Sequence, residues 1–474
     1  YGEAIESKYT LDNVYWLTYG QASGLRMTTK SGSISTSSTP TTFIDQLHLE
    51  QNKSYRSVMP GFTAGEHFVW GSFYAPSTPT WSTTFSLSIP STSTGVITAG
   101  LLGVTSNPTI TLDHHVVVRL NGIPIGDLWF DGNNYAILEA TVPADVLKNS
   151  PEINTIEFYA PLDTGSSNDL IYVDWIDIDY VNDFIAVNDS LEFSYGVAGT
   201  WKYLVEGFST DLLQTYDVTN PHTPVSVSDV SITGTGPYSA EFQDEVIGEN
   251  SYWIGSTETL KTVTGIEVDE AASDLKSTVN SADYIIINHG DFASAAGVLR
   301  DHRASHGLTA LAVDVQDVYD EFSYGIIDPV GIHDFLSYAY NNWAEEPPSY
   351  VALMGDGNYD PKDYLGNGNT SYIPPYLADV DPWMYETAAD NRYVTVSGTD
   401  IMPDMMLGRL AVNSAAEAED MVAKIIAYET TPPAGDWRQQ VLSVTDNADS
   451  GGNYPFISDN LISCCVPESY TVEK

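Results

Sequence analysis

The stretch Tyr350 to Pro361, YVALMGDGNYDP, decides how the chain is read. The run Tyr350-Val351-Ala352-Leu353-Met354 passes straight into Gly355-Asp356-Gly357-Asn358-Tyr359-Asp360, as a buried parallel strand does when its carboxyl end opens into a loop. In open α/β sheets ligands and catalytic groups collect at that end. Function is therefore sought there.

On either side the pattern repeats. Tyr284 to Asn288 (YIIIN) and Leu308 to Val313 read as buried strands, and Ala271 to Val279, Ala293 to His306 and Pro329 to Trp343 as helices. The second helix is stopped by Gly307 and the third has Pro near its start. After an irregular acidic segment come a strand over Asp404 to Leu410 (DMMLGRL), an amphipathic helix over Ala415 to Glu429, a strand over Gln440 to Thr445 and a helix over Phe456 to Cys465. Strands alternating with helices imply a parallel sheet with right-handed crossovers. A further strand is expected to begin near Lys474.

Upstream the chain reads as all-β. Val14 to Leu17, His67 to Trp70, Phe85 to Ile89 and Val116 to Leu120 alternate between Gly, Pro, Ser and Asn turns, and Asn121-Gly122 is a strong hairpin signal. Leu170 to Tyr180 (LIYVDWIDIDY) alternates, which places Tyr172, Asp174 and Ile176 on one face and Ile171, Val173 and Trp175 on the other. The expected architecture is multidomain: a jelly-roll-like β-sandwich over residues 1–190, a β-rich linker domain over 191–268, and an α/β domain over 269–474. Jelly rolls often bind glycans, but Trp16, Trp70, Trp129 and Trp175 sit in strand patterns that favour core packing.

Composition narrows the function. Sixty-four acidic residues against 18 basic ones give a formal charge of −46, a surface that repels nucleic acid and anionic lipid and suits an extracellular or cell-surface setting. No apolar run is long enough for a membrane helix. The two cysteines, Cys464 and Cys465, are adjacent; they cannot staple distant segments, and ordinary helix-end cysteines are the expected reading.

The segments YIIINHGDF, LRDHRASHGLTALAVDVQDVYDEF, DPVGIHDFLSYAYNNW, YVALMGDGNYDP, PDMMLGRLAVNSAAEAEDMVAKIIAYE and WRQQVLSVTDNAD, in that order, resemble the gingipain family of cysteine peptidases. The N-terminal half, through VYWLTYG, HVVVRLNG, YVDWIDIDY and VEGF with YDVTNP, is similar to the β-rich region of larger members such as the type IX secretion sortase. The resemblance implies a caspase-like fold and a Cys-His dyad in which a thiolate attacks the peptide carbonyl and the histidine handles the protons. In the family the histidine lies in a Gly-His-Gly segment and the cysteine some tens of residues beyond; neither segment is present, so both are expected beyond residue 474. His289-Gly290 follows the first strand, a different place in the order, and Cys464 and Cys465 align with no nucleophile.

Asp404 is the residue that the resemblance connects to chemistry, as a carboxylate that orients the histidine; a solvated or metal-bound carboxylate at a strand start is the alternative. Calcium is the expected cofactor, since Asp356, Asn358 and Asp360 place oxygens at alternate loop positions, with Asp379, Asp381, Asp390 and Asn391 as further ligands. A hydrogen-bonded turn is the plainer alternative. The leading functional expectation is the N-terminal portion of a secreted gingipain-like endopeptidase that partners its own C-terminal catalytic portion and a protein substrate. The other is a catalytically inactive surface or filament protein on the same scaffold, with a self-assembly or cell-surface partner and a binding sandwich.

Overall fold

The computed structural model describes all residues except 1–6, 18–19, 21–23, 25, 36–37, 63–64, 88–93, 264, 267, 269–272 and 345. In the C-terminal α/β unit the elements run β1 (Tyr284–Asn288), α1 (Ala293–Ser305), β2 (Ala310–Asp314), α2 (Val315–Phe322), α3 (Pro329–Asn342), β3 (Tyr350–Met354), a hairpin of β4 (Leu377–Asp381) and β5 (Tyr385–Ala388), β6 (Met406–Leu410) and α4 (Ala415–Thr430). The sheet order is β2-β1-β3-β6, every pairing parallel. After their first residues β1 and β3 are wholly buried, because helices cover both faces. One core cluster joins β1 and β3 to α2 and α3, and another joins them to α1 and α4. The chain leaves β1 toward β2 on one side and β3 toward β6 on the other, so the switch point lies between the carboxyl ends of β1 and β3.

One local expectation fails here for a visible reason, and one helix was not foreseen. Residues 273–279 form turns rather than a helix; Ala271 and Ala272 lie outside the described residues. The Glu321 carboxylate accepts hydrogen bonds from the Ser273 hydroxyl and the amides of Leu275 and Lys276, so a tertiary partner takes donors that a helix would use. Conversely α2 starts directly at the end of β2, where Asp314 caps it by accepting from the Gln316 amide at 3.0 Å.

Beyond α4, β7 (Gln440–Leu442), α5 (Tyr454–Cys465) and β8 (Thr471–Glu473) follow, with β7 and β8 paired in parallel. The further strand expected near Lys474 is β8.

Upstream, two antiparallel sheets share one core. One runs Tyr135–Val142, Gly95–Gly103, Asp169–Asp183, Thr42–Glu50; the other runs Thr80–Phe85, Asn154–Tyr159, His114–Leu120, Ile123–Phe130. Asn121 and Gly122 both have positive φ, 53° and 83°, as the two-residue hairpin turn requires. Ser88 and Ile89 lie outside the described residues. The alternation expected along Leu170 to Tyr180 breaks at a register shift between Val173 and Ile176. This bulge buries both Val173 and Asp174 and leaves Trp175 half-buried.

Residues 14–17 are not a strand. They lie exposed against the α/β unit, where the Trp16 indole donates to the Tyr324 carbonyl at 2.9 Å. Trp129 is also at the surface, stacked on His115 with ring centroids 3.8 Å apart. Core packing therefore holds for Trp70 but not for Trp16 or Trp129, since an alternating pattern specifies burial only where a partner strand or sheet exists to cover it.

A third core gathers around Tyr203, Phe208, Phe242 and Tyr252. The strand Thr28–Ser31 joins its sheet, in parallel with Val225–Ser228, and Lys30 sits between Asp217 and Asp244.

The loops of the α/β unit dock on the first sandwich through buried charge. Lys8 pairs with Glu386, Lys362 pairs with Glu66, and the Tyr55 hydroxyl donates to Glu386 at 3.0 Å. The Tyr55 and Tyr359 rings pack 4.5 Å apart beside them.

Candidate functional site

The loop after β3 is held by backbone at both ends. Gly355 and Asp356 donate to the carbonyls of Leu410 and Val412, each at 3.0 Å, and the Asp356 carbonyl accepts from Tyr372 and Ile373. Gly355 has φ of 153°, and a Cβ on it would lie 2.9 Å from Tyr372 Cβ. Glycine is needed there because the returning segment crosses directly over it.

The expected metal-ligating residues fold this loop and its neighbours. Asp356 accepts from the Gly357 amide with one oxygen and from the Asn413 side chain with the other. Asn358 accepts from the Asp360 amide. Asp360, 2% exposed, accepts from the amides of Tyr364 and Leu365 at 2.9 and 2.8 Å. Asp381 accepts from the Met384 and Trp383 amides at the hairpin tip, which holds its carboxyl below the ordinary range. Asp379 lies 4.0 Å from His67 at the docking face. Asp390 is bound by Arg409, and Asn391 follows in a short 3₁₀ turn. Among the described residues no group of three or more His, Cys, Asp or Glu is placed to hold a metal ion. The side-chain oxygens are turned toward amides and a guanidinium, so as they stand they do not converge on one cation.

Arg409 is the residue that sequence reasoning passed over. From β6 its guanidinium contacts Asp390 at 2.7 and 3.1 Å and donates to the carbonyls of Gly355, Ile373 and Pro374. The signal was available: a basic residue inside a strand pattern, in a chain with only 18 of them. Such a fork suits a cluster of carbonyls and a carboxylate.

Asp404 lies just before the amino end of β6, where Oδ2 accepts from the amides of Val396 and Ser397, both at 2.8 Å. That is the edge of the sheet opposite the carboxyl-end loops. His289 directly follows β1 and accepts from the Asp291 amide through Nδ1. Cys464 and Cys465, read from sequence as ordinary helix-end cysteines, are instead joined to each other as a vicinal disulfide closing α5. It links no distant segments. Among the described residues no cysteine therefore meets a histidine as nucleophile and base.

Residues 277–474 match the family model for Peptidase family C25. The C-terminal part is a C25-like peptidase domain. The fold as a whole is similar to the crystal structure of dimeric latent PorU from Porphyromonas gingivalis, with a TM-score of 0.65 at 18% identity, covering 87% of this chain and 40% of that one. The chain thus spans 40% of the length of that relative. A carbohydrate-binding module, CBM36 in complex with calcium and xylotriose, aligns over 28% of this chain and 98% of its own at 18% identity; its TM-score of 0.19 is too low to bear on fold or ligand. No curated protein matches the chain. The C25-like domain is thus the parallel sheet β2-β1-β3-β6 with its helices, continuing through β7, α5 and β8. Among the described residues no helix is long and apolar enough to cross a membrane.

Proposed function

We propose that this chain is the leading part of a secreted or cell-surface cysteine endopeptidase whose nucleophile and general base lie outside residues 1–474. The carrying observation is the match of residues 277–474 to Peptidase family C25, combined with two cysteines that are bonded to each other. In this reading the β-sandwich and the first α/β sheet support a catalytic portion of the same precursor, which attacks protein substrates through a thiolate with a histidine moving the proton. Purified chain 1–474 is expected to show no thiol-dependent turnover of peptide substrates. Turnover abolished by a cysteine-directed inhibitor would overturn the proposal. If the longer gene product is equally inactive, the reading as an inactive surface scaffold replaces it.

The orienting role proposed for Asp404 uses Oδ1, since Oδ2 is bound to two backbone amides, and it requires the histidine to approach the amino end of β6 rather than the carboxyl-end loops. It predicts that Asp404→Asn in the active enzyme lowers kcat and displaces the pH–rate profile. An unmoved profile with only a lower melting temperature assigns Asp404 to the turn.

The calcium proposal rests on the oxygen spacing of Asp356, Asn358 and Asp360 and requires backbone carbonyls or a rearranged loop to complete the ligand set. It predicts that millimolar calcium raises the melting temperature and magnesium does not. Identical melts in calcium and in chelator would retire it.

A further inference from the structure

Among the described residues none after Val422 is buried, although that stretch holds a whole strand-helix-strand unit, β7, α5 and β8. Parallel sheets occur with both faces covered, and a short helix owes most of its stability to the face it packs. The unit therefore lacks cover, and its side chains show where. The Ser443 and Ser458 hydroxyls share a hydrogen bond of 2.6 Å, so Ser443, and Val441 two residues before it, face α5. Leu442 and Val444 point the other way and are exposed, Leu442 by 68%. On α5, Ile457 and Leu461 stand one turn apart on a second exposed apolar stripe, Leu461 by 57%.

The first sheet does not supply the cover. Helix α1 carries the chain from β1 to β2, while α2 and α3 carry it from β2 back to β3 across the opposite face. Helix α4 packs on the face of α1. A right-handed crossover on that face leads from β6 back toward β3, whose place is taken, and not to the outer edge of β6. The strand β7 thus opens another sheet.

A parallel sheet grows by a strand delivered through a crossover of a dozen or more residues. A second copy, related by a twofold axis, would set its edge strand antiparallel to this one and would leave Leu442 and Val444 bare. Chain that continues in the same direction supplies both the strand and the crossover.

We propose that residues 437–474 are the opening part of a second parallel α/β unit, and that the catalytic portion of the same precursor completes it, adding strands beside β7 and β8 and covering Leu442, Val444 and the Ile457–Leu461 stripe. The two units join at Thr431-Pro432-Pro433-Ala434-Gly435, where α4 has ended. The proposal rests on the reading that more chain follows, and it assigns the surface that receives it.

The test is hydrogen exchange, followed by mass spectrometry, on the 474-residue chain and on the native longer protein. Peptides over β7 and α5 are expected to exchange roughly a hundredfold more slowly in the longer protein, while β1 and β3 are protected alike in both. Leu461→Asp and Leu442→Asp, each in the longer protein, are expected to remove that slowing and to leave β1 and β3 protected. Should one variant fail to fold, the other decides. Equal exchange of α5 in the two forms overturns the proposal, as does protection in the 474-residue chain that rises with its concentration, which would place a second copy on the face. A native protein that ends at Lys474 overturns it as well. An active thiol peptidase with α5 unprotected overturns this proposal alone; a longer protein that protects α5 but has no thiol activity supports it and overturns only the peptidase reading.

Discussion

Replacing Arg409 by Met is expected to lower the melting temperature of the α/β unit by roughly 6–20 °C. The guanidinium reaches three carbonyls and both oxygens of Asp390, and its side chain is only 14% exposed. Methionine fills the space of the stem but leaves Asp390 and the carbonyls of Gly355, Ile373 and Pro374 without this partner. Removing one member of a buried, hydrogen-bonded charge pair costs about 3–5 kcal/mol, and for a unit of 150–250 residues each kcal/mol moves the midpoint by roughly 2–4 °C. Scanning calorimetry checks this, and Arg409→Lys should recover only part of the loss, because an ammonium lacks the planar fork. A shift of a degree or two would mean that the loop after β3 and the segment over it hold together without Arg409.

Asp174→Asn should act in the opposite direction and in a pH-dependent way. Asp174 is 3% exposed in the first sandwich, and its Oδ2 accepts from the Tyr135 hydroxyl at 2.7 Å. Burial pushes its carboxyl up to about 7; the Tyr135 hydrogen bond opposes that shift, Glu50 and Glu66 add to it and His48 reduces it. The folded chain thus holds this proton more tightly than the unfolded chain does. The favourable contribution of the neutral acid is complete below the ordinary carboxylate pKa near 4, falls as pH rises, and is gone above about 7. Asparagine keeps the shape and an oxygen for Tyr135 but cannot ionise. The variant should therefore exceed the parent in stability by on the order of 2–4 kcal/mol at pH 8, with the gap closing toward pH 4. Urea unfolding at both values checks it, and a gap independent of pH would show that ionisation of Asp174 is not its source.

The two residues also mark where sequence reasoning stops. YIIIN and YVALM were legible as central parallel strands because burial on both faces leaves a continuous apolar run, and Asn121-Gly122 was legible because its turn demands positive φ at both positions. Asp174 was not, since a one-residue bulge at Val173 changed the phase of an alternating run, and nothing in LIYVDWIDIDY announces it. Residues 14–17 looked like a strand only because alternation cannot reveal whether a partner exists. Around the candidate site the same limit applies. The spacing of Asp356, Asn358 and Asp360 suits a cation loop and a self-closing turn equally. Whether the carboxylates meet amides is decided by Tyr364, Leu365 and Asn413, which the chain brings in from beyond the spacing itself. Arg409 gathers its partners from three segments, so its role became visible only with the fold.

Where the nucleophile lies can be decided by treating the mature protein from its native source with an electrophilic peptidyl probe and locating the modified cysteine by peptide mass. A modified cysteine is expected in sequence outside residues 1–474, with Cys464 and Cys465 untouched and still joined to each other. Stoichiometric, activity-linked labelling of Cys464 or Cys465 would contradict it, because catalysis would then reside at the end of α5.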